Sequence, residues 1–148
     1  MNRFRLAARA LMLALCVLAG CGRDVPVPVA ADLLAQTRGE WLLLNYWAEW
    51  CKPCLEEIPQ LNAFAAQNAA RARVVMVNFD GATGAALRAQ ADRLGIEVPL
   101  FEGDAAGRLG IAMPQVLPTT LVIAPDGRLR ATLIGPQTVA SLAAATGG

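Results

Sequence analysis

The sequence predicts an α/β domain in which one mixed β-sheet is flanked by helices. Two nearly continuous apolar runs, residues 41–47 and 73–79, have the composition of strands that are covered on both faces. A stretch with helical apolar spacing lies between them, which is typical of a parallel βαβ unit. Two later strand-like segments, residues 119–124 and 128–134, are joined by a Pro-Asp-Gly turn that indicates an antiparallel hairpin.

The N-terminal segment resembles a secretory signal. Arginines precede a short apolar run at residues 11–18, which is too short to span a bilayer as a mature helix. The run ends in Leu18-Ala19-Gly20-Cys21, which resembles a bacterial lipobox. Cleavage before Cys21 leaves that cysteine to carry a lipid anchor. A plain signal peptide with a chance cysteine and an uncleaved anchor are the alternatives.

This export signal divides the chain into three parts. We expect a signal peptide over residues 1–20, a lipidated tether over 21–29 and one domain over 30–148. Alternating prolines favour an extended tether with a reach of roughly 25 Å, which keeps the domain close to its membrane. Because Gly22 rather than an aspartate follows the lipidated cysteine, we expect the periplasmic side of the outer membrane.

The first half of the domain contains the βαβ unit. After the strand at 41–47, a helix is expected over residues 52–68. Pro53 suits its first turn, and an apolar stripe at helical spacing gives it one buried face. The stripe consists of Ile58, Leu61, Phe64 and Ala65.

The other elements alternate between short helices and strands. They are a helix at 30–36, a helix at 84–94 closed by Gly95, a strand at 97–101, helical turns at 104–110, the two hairpin strands and a closing helix at 138–145.

The charge balance and the lack of histidine exclude several functions. Three of the 13 basic residues leave with the signal, so ten remain against 12 acidic residues, a net charge of −2. This balance does not indicate a nucleic-acid surface. Because the sequence contains no histidine, it excludes imidazole acid–base catalysis, Ser-His and Cys-His nucleophile pairs and His-ligated metal sites.

Two of the four cysteines remain after the predicted export, and two residues separate them. Cys16 leaves with the signal and Cys21 is lipidated, so Cys51 and Cys54 carry the chemistry. A Cys-only zinc site needs two further ligands, and a structural disulfide framework needs more pairs at wider spacing. We therefore interpret the pair as a redox-active disulfide.

The start of a helix is a favourable place for a reactive thiol. Cys51 precedes the predicted helix, where unpaired backbone N–H groups favour the thiolate. We expect Cys51 to be the exposed nucleophile that forms a mixed disulfide with a client. Cys54, one turn further along and more sheltered, then resolves that intermediate.

Residues 47–54, Trp-Ala-Glu-Trp-Cys-Lys-Pro-Cys, resemble the active-site motif of thioredoxin-fold proteins. The resemblance covers about residues 30–145, and the segment 80–101 adds a helix and a strand that plain thioredoxins lack. That insertion, together with export, resembles the TlpA/ResA-type membrane-tethered thiol-disulfide oxidoreductases. The resemblance implies reduction of disulfides in exported proteins, often apocytochrome c, with no cofactor beyond the Cys51–Cys54 disulfide. An upstream thiol reductant is required, and we expect a monomer.

Pro118, in Leu117-Pro118-Thr119-Thr120, matches the cis proline that thioredoxin-like proteins place beside the dithiol. A cis bond there turns the preceding backbone outward, so that a client strand can pair beside the sulfurs. The alternative is a trans proline that starts a strand.

Two polar positions near the motif carry further predictions. Asn45 occupies the strand position where thioredoxins have a buried acid, and the chain departs from the pattern there. Glu57 matches an acid that TlpA/ResA-type proteins place near the dithiol, and its spacing puts it on the side of Cys54. A half-buried carboxyl can exchange protons with the resolving thiol. The alternative is an ordinary solvated charge, as we expect for Glu56.

The client-binding surface is expected around the dithiol and Pro118. Its members are Trp50, Lys52, Pro53, Leu117 and Thr119. Trp50 shields the sulfurs, whereas Trp41, Trp47 and Met113 are expected in the core. The Lys-Pro spacer lacks the histidine of strongly oxidising relatives, which favours a reductant.

Two other functions fit the same fold. A metal or haem-pathway chaperone needs additional soft ligands or histidine near the dithiol, and the sequence offers none there. A thiol peroxidase needs an activated cysteine beside a threonine or arginine, without a resolving partner two residues on. We expect no bound metal.

Overall fold

The computed structural model describes residues 37–148 of the chain. Its elements are β1 (Trp41–Trp47), α1 (Lys52–Gln67), β2 (Ala72–Asn78), α2 (Gly84–Leu94), β3 (Leu100–Phe101), α3 (Ala105–Arg108), β4 (Thr119–Ile123), β5 (Leu129–Ile134) and α4 (Val139–Ala145). The predicted signal peptide, Cys21 anchor, tether and helix at 30–36 lie outside the described residues. Within residues 37–148, no helix is long and apolar enough to cross a membrane.

The five strands form one mixed sheet in the order β3-β2-β1-β4-β5. Strand β1 is parallel to β2 and antiparallel to β4, so it occupies the centre. Strand β3 extends the parallel side, and β5 closes the antiparallel side through the predicted hairpin. The structure confirms the expected mixed sheet with flanking helices.

Alternation along β1 assigns its residues to two separate apolar clusters. Leu43 and Trp47 face the side covered by α1, whereas Leu42, Leu44 and Tyr46 face the side that packs on α3. Because the period is two, Asn45 lies on the same face as Leu43 and Trp47. A polar side chain is therefore held between the sheet and α1, close to where the strand ends.

Helix α1 buries the predicted stripe except at one position. Ile58, Leu61 and Phe64 are buried together with Cys54 and Glu57, whereas Ala65 is half-buried. The buried face is thus apolar along most of the helix and carries a carboxyl near its first turns. Helix α2 matches its predicted bounds and is closed by Gly95 in the left-handed conformation, with φ 68°.

Strand β3 is shorter than predicted. Residues 97–101 were expected to form it, but pairing with β2 is confined to Leu100 and Phe101. Pro99 has no N–H group to donate to the sheet, although its carbonyl accepts from Met76 N at 2.9 Å. Ile96 and Val98 are buried without belonging to a strand, and the Ile96 N–H donates to Ala91 O at 3.0 Å.

Candidate active site at the dithiol

The two cysteines lie where β1 leads into α1. Cys51 is the N-cap of α1, and its carbonyl accepts from Cys54 N at 2.9 Å and from Leu55 N at 3.2 Å. Pro53 occupies the first turn, as predicted. The Cys51 side chain therefore adjoins the first backbone N–H groups of the helix, whose partial positive charge stabilises a thiolate.

Cys51 and Cys54 form a disulfide, and both are buried. Their exposed fractions are 4% for Cys51 and 0% for Cys54. Cys51 is thus the more accessible of the two, as predicted. The prediction that Cys51 is exposed was wrong, because its side chain is buried. Trp47, Ala48 and the half-buried Leu117 belong to the same apolar cluster, and this packing leaves only an edge of Cys51 open.

The Leu117–Pro118 peptide bond is cis, as the sequence predicted. Strand register pairs Tyr46 with Thr119, which brings Pro118 level with the end of β1 and therefore next to the dithiol. The Pro118 carbonyl accepts from Gly135 N at 2.9 Å. Pro118 is itself buried, so Leu117 is the part of this segment that remains partly open.

Glu57 is buried, with 1% of its surface exposed. Its Oε1 accepts from Asn45 Nδ2 at 2.6 Å, and its Oε2 accepts from the backbone N–H of Gln137 at 2.8 Å. Burial raises the pKa of Glu57, and the hydrogen bonds from Gln137 and Asn45 lower it by less. The carboxyl is therefore more deeply placed than the sequence predicted, and it is held in a fixed position.

The adjacent Glu56 confirms the contrast that the sequence predicted. It is exposed and forms an i,i+4 pair with Lys52, with 3.8 Å between Lys52 Nζ and Glu56 Oε1. Both side chains of that pair lie in water, where such pairs contribute little to stability. Two neighbouring glutamates thus occupy opposite environments on one helix.

Four residues form what we call the buried network: Asn45, Glu57, Thr120 and the backbone of Gln137. Besides its bond to Glu57, Asn45 Nδ2 donates to Thr120 Oγ1 at 3.0 Å. Asn45 and Glu57 were predicted separately from the sequence, whereas the roles of Thr120 and Gln137 were not predicted. Thr120 could have been found from strand alternation after Pro118, whereas no sequence signal marks the backbone of Gln137.

A second group, which we call the surface clamp, consists of Glu49, Trp50, Asp80 and Arg93. Trp50 is 67% exposed, and its indole N–H donates to both carboxylate oxygens of Asp80 at 3.2 and 3.0 Å. Arg93, on α2, donates to Glu49 at 2.7 Å. These hydrogen bonds connect the predicted insertion, residues 80–101, to the loop that precedes Cys51. Asp80 and Arg93 carry no motif that sequence analysis could have used.

The other predicted client-binding residues divide between surface and interior. Lys52 and Pro53 are exposed beside the disulfide. Thr119 is buried, pairs with strands on both sides, and donates its hydroxyl to Val116 O at 2.7 Å, so the structure does not support a client contact by its side chain. Met113, expected in the core, is exposed because it lies in the irregular segment before Pro118.

Metal ligands are not clustered in this part of the molecule. Among residues 37–148, no three His, Cys, Asp or Glu side chains come together in a group that could hold a metal ion.

Comparison with known proteins agrees with this geometry. The family model described as AhpC/TSA matches residues 30–132. The chain belongs to the AhpC/TSA family. This member of the family is 27% identical over 123 residues to the thiol-disulfide oxidoreductase ResA of Bacillus thuringiensis, an alignment that covers 79% of this chain and 71% of the relative. It is 32% identical over 107 residues to the thioredoxin-like protein YneN of Bacillus subtilis. That alignment covers 71% of this chain and 62% of YneN.

Solved structures show the same fold for this AhpC/TSA member. A DsbF homologue from Corynebacterium diphtheriae superposes with a TM-score of 0.65 at 25% identity, over 76% of this chain and 73% of that one. StoA from Bacillus subtilis superposes with a TM-score of 0.59 at 24% identity, over 73% and 83% of the two chains, which supports the fold alone. The protein is a thiol-disulfide oxidoreductase with a thioredoxin-like fold, and Cys51 and Cys54 are its redox pair.

Proposed function

We propose that the protein reduces disulfides in exported client proteins while it is anchored by lipid at Cys21. The observation that carries the proposal is the Cys51–Cys54 disulfide at the N-terminus of α1, with a buried carboxyl on the same helix. The relatives named thiol-disulfide oxidoreductases support exchange chemistry of this kind.

The exchange proceeds in two balanced steps. The thiolate of Cys51 attacks a client disulfide, forms a Cys51–client disulfide and releases one client thiolate. Cys54 loses its proton and attacks the Cys51 sulfur, which forms the Cys51–Cys54 disulfide and releases the second client thiol. The client has gained two electrons from the enzyme and the proton of Cys54. Its remaining thiolate takes a second proton from water, which had received the proton of Cys51 when the Cys51 thiolate formed. An upstream dithiol reductant restores the reduced pair by the reverse sequence.

Glu57 is proposed as the group that exchanges the proton of Cys54. It lies three residues after Cys54 on the buried face of α1, and burial raises the pKa of its carboxyl towards the working range of a proton carrier. Its two hydrogen bonds hold the carboxyl at one place in the site. A fixed carboxyl with a raised pKa is suited to accept and return a proton.

Clients are proposed to bind across Trp50, Lys52 and Pro53 and along the backbone at Leu117. Trp50 is the largest exposed apolar group next to the disulfide, and Leu117 precedes the cis bond. An extended client segment can pair with backbone there and bring its disulfide to Cys51. By resemblance to TlpA/ResA-type proteins, we include apocytochrome c among the clients. Pro118 acts by placing this backbone.

The redox potential of the Cys51–Cys54 pair tests the proposed direction. Equilibration of the full chain in thiol buffers of graded potential, followed by trapping of free thiols, measures it. A value of about −270 mV supports a reductant, and one of about −120 mV contradicts it. Insulin reduction with a Cys51→Ser variant tests the site, and activity that survives this substitution contradicts it.

Location and the competing functions are tested separately. Cys21→Ser should move the protein from the membrane fraction to the soluble fraction, and density separation of the membranes tests the outer-membrane proposal. The wild-type chain should neither bind metal stoichiometrically nor consume peroxide at the rate at which it reduces insulin. Stoichiometric metal binding would favour a chaperone, and fast peroxide consumption would favour a peroxidase.

A further inference from the structure

A buried amide with one unused polar atom lies against the buried carboxyl. Asn45 Nδ2 uses both of its hydrogens, one on Glu57 Oε1 and one on Thr120 Oγ1. Asn45 Oδ1 is buried and has no hydrogen-bond partner among the described residues. Buried acceptors are rarely left unpaired, because they lose their bonds to water. The Asn45 Nδ2 group is therefore fully hydrogen-bonded, whereas Oδ1 of the same amide has no partner.

The two protonation states of Glu57 require opposite partners. As a carboxylate, it accepts hydrogen bonds, which Asn45 Nδ2 and the Gln137 N–H supply. As an acid, one oxygen carries a hydrogen and must donate it to an acceptor. Neither N–H group can serve in that role. The unused Oδ1 belongs to the side chain that already contacts Glu57 Oε1.

We infer that Asn45 is a positioning residue whose amide turns over when Glu57 takes up a proton. A half-turn about the Cβ–Cγ bond exchanges Nδ2 and Oδ1. Oδ1 then accepts from Glu57 Oε1–H and from the Thr120 hydroxyl, so its two lone pairs replace the two hydrogens of Nδ2. Glu57 keeps a partner in both states and stays in place while a proton enters or leaves. This inference rests on the proton exchange proposed for Glu57.

Among the groups around Glu57, Asn45 is the one placed to accept a hydrogen bond from the protonated carboxyl. On its own helix the titratable neighbours are Cys51 and Cys54, while Lys52 and Glu56 are exposed and pair with each other. From β1 it meets the Asn45 amide, and from the loop before α4 it meets the Gln137 N–H. Thr120, from β4, reaches the network through Asn45. The two polar contacts that Glu57 makes from these elements are uncharged.

The test measures the pH profile of Cys54 alkylation in the reduced full-length chain. Asn45→Leu removes a hydrogen bond that stabilises the carboxylate. The Glu57-dependent inflection should therefore move to higher pH, and the rate at pH values below the wild-type inflection should fall by about threefold to tenfold.

Two further measurements separate positioning from a structural role. Leu43→Val alters packing on the same face of β1 and should leave the inflection in place. In the wild-type chain, the ¹⁵N-labelled side-chain amide of Asn45 should titrate with the same midpoint as the Glu57 carboxyl carbon. That measurement needs no variant, so it holds even if Asn45→Leu does not fold.

The outcomes distinguish this inference from the function on which it rests. If Asn45→Leu reproduces the wild-type profile while Glu57→Gln alters it, Asn45 has no positioning role and the Glu57 proposal stands. If neither variant alters the profile, both ideas are wrong. A coupled titration of Asn45 and Glu57 in a chain that cannot reduce insulin supports the inference and contradicts the proposed reductase function.

Discussion

The disulfide lies between two polar regions that use similar groups in opposite surroundings. In the buried network, a carboxyl accepts from an amide and a backbone N–H with almost no contact with water. In the surface clamp, carboxylates accept from an indole and a guanidinium at the exposed edge of the site. The hydrogen-bond distances overlap, so geometry alone does not separate the two regions.

Solvent access decides what each region can do. Water screens the exposed groups of the surface clamp, so each contributes little energy and can be replaced at small cost. Burial makes the groups of the buried network dependent on one another, because a lost partner cannot be replaced by water. The same burial raises the pKa of Glu57, whereas exposure leaves the surface clamp to orient Trp50 and the inserted helix.

Removal of the buried carboxyl should have the largest effect on stability. Glu57→Ala leaves the Asn45 amide and the Gln137 N–H without an acceptor, and the free energy of unfolding should fall by about 2–4 kcal/mol in urea denaturation. Glu56→Ala is the matched control on the next residue. Its free energy of unfolding should remain within about 0.5 kcal/mol of wild type. Equal losses in the two variants would remove the distinction between the regions.

Removal of the exposed indole should affect client binding rather than folding. Trp50→Ala deletes the largest exposed apolar group beside the disulfide, and the KM for insulin should rise by about fivefold, the loss of an aromatic interface contact. The midpoint of urea unfolding should stay close to that of wild type. A normal KM together with lowered stability would assign Trp50 to the core instead.

The pH dependence of stability should differ between Glu57→Gln and wild type. Below the ordinary pKa of 4.5, the carboxyl is protonated in both the folded and the unfolded chain, so its contribution to stability is fully present. As the pH rises above that value and through the raised folded pKa, the unfolded chain ionises first and stability is lost. Glu57→Gln lacks this loss, so the stability of the variant should rise relative to that of wild type between acid and neutral pH.

That comparison has a control on the surface. Glu56→Gln should show the same pH dependence as wild type, because the exposed Glu56 side chain contributes little to stability. Urea denaturation at a series of pH values measures both variants. If the free energy of unfolding of Glu57→Gln runs parallel to that of wild type over the whole range, burial does not raise the pKa of Glu57.

The smallest effect is expected for the ion pair of the surface clamp. Arg93→Gln should lower the free energy of unfolding by at most about 0.5 kcal/mol, and added salt should abolish the difference. Thermal unfolding at low and high ionic strength measures it. A loss that persists in high salt would show that α2 is held by this contact far more strongly than an exposed pair allows.

The elements were predictable where each one follows from a local pattern. The apolar runs of β1 and β2, the Gly95 end of α2 and the hairpin before β5 all follow from neighbouring residues. The prediction failed at residues 97–99, where Val98 is buried as in a strand but Pro99 has no N–H group to donate and pairing with β2 begins only at Leu100. The local apolar pattern there predicts which side chains are buried, but it does not predict which backbone groups are hydrogen-bonded.

The candidate site was predictable only in part, for a related reason. The spacing of Cys51 and Cys54 defines a redox pair by itself, and Glu57 falls on the same helix face by periodicity. The contacts of Asn45 with Glu57 and Thr120 join positions 12 and 75 residues apart in the chain. Such pairs depend on strand order and on how α1 packs on the sheet, which no local pattern contains.

The sequence by itself determined the dithiol, the start of its helix and the alternation that turns Asn45 inward, because each depends on residues close together in the chain. The cis proline followed from the resemblance to thioredoxin-like proteins and not from its neighbours. Tertiary structure alone decided that Glu57 is fully rather than half buried, that an amide faces its carboxyl, and that Trp50 is held by Asp80. Packing of distant elements sets exposure to water, and exposure to water sets the energy of every charge in the site.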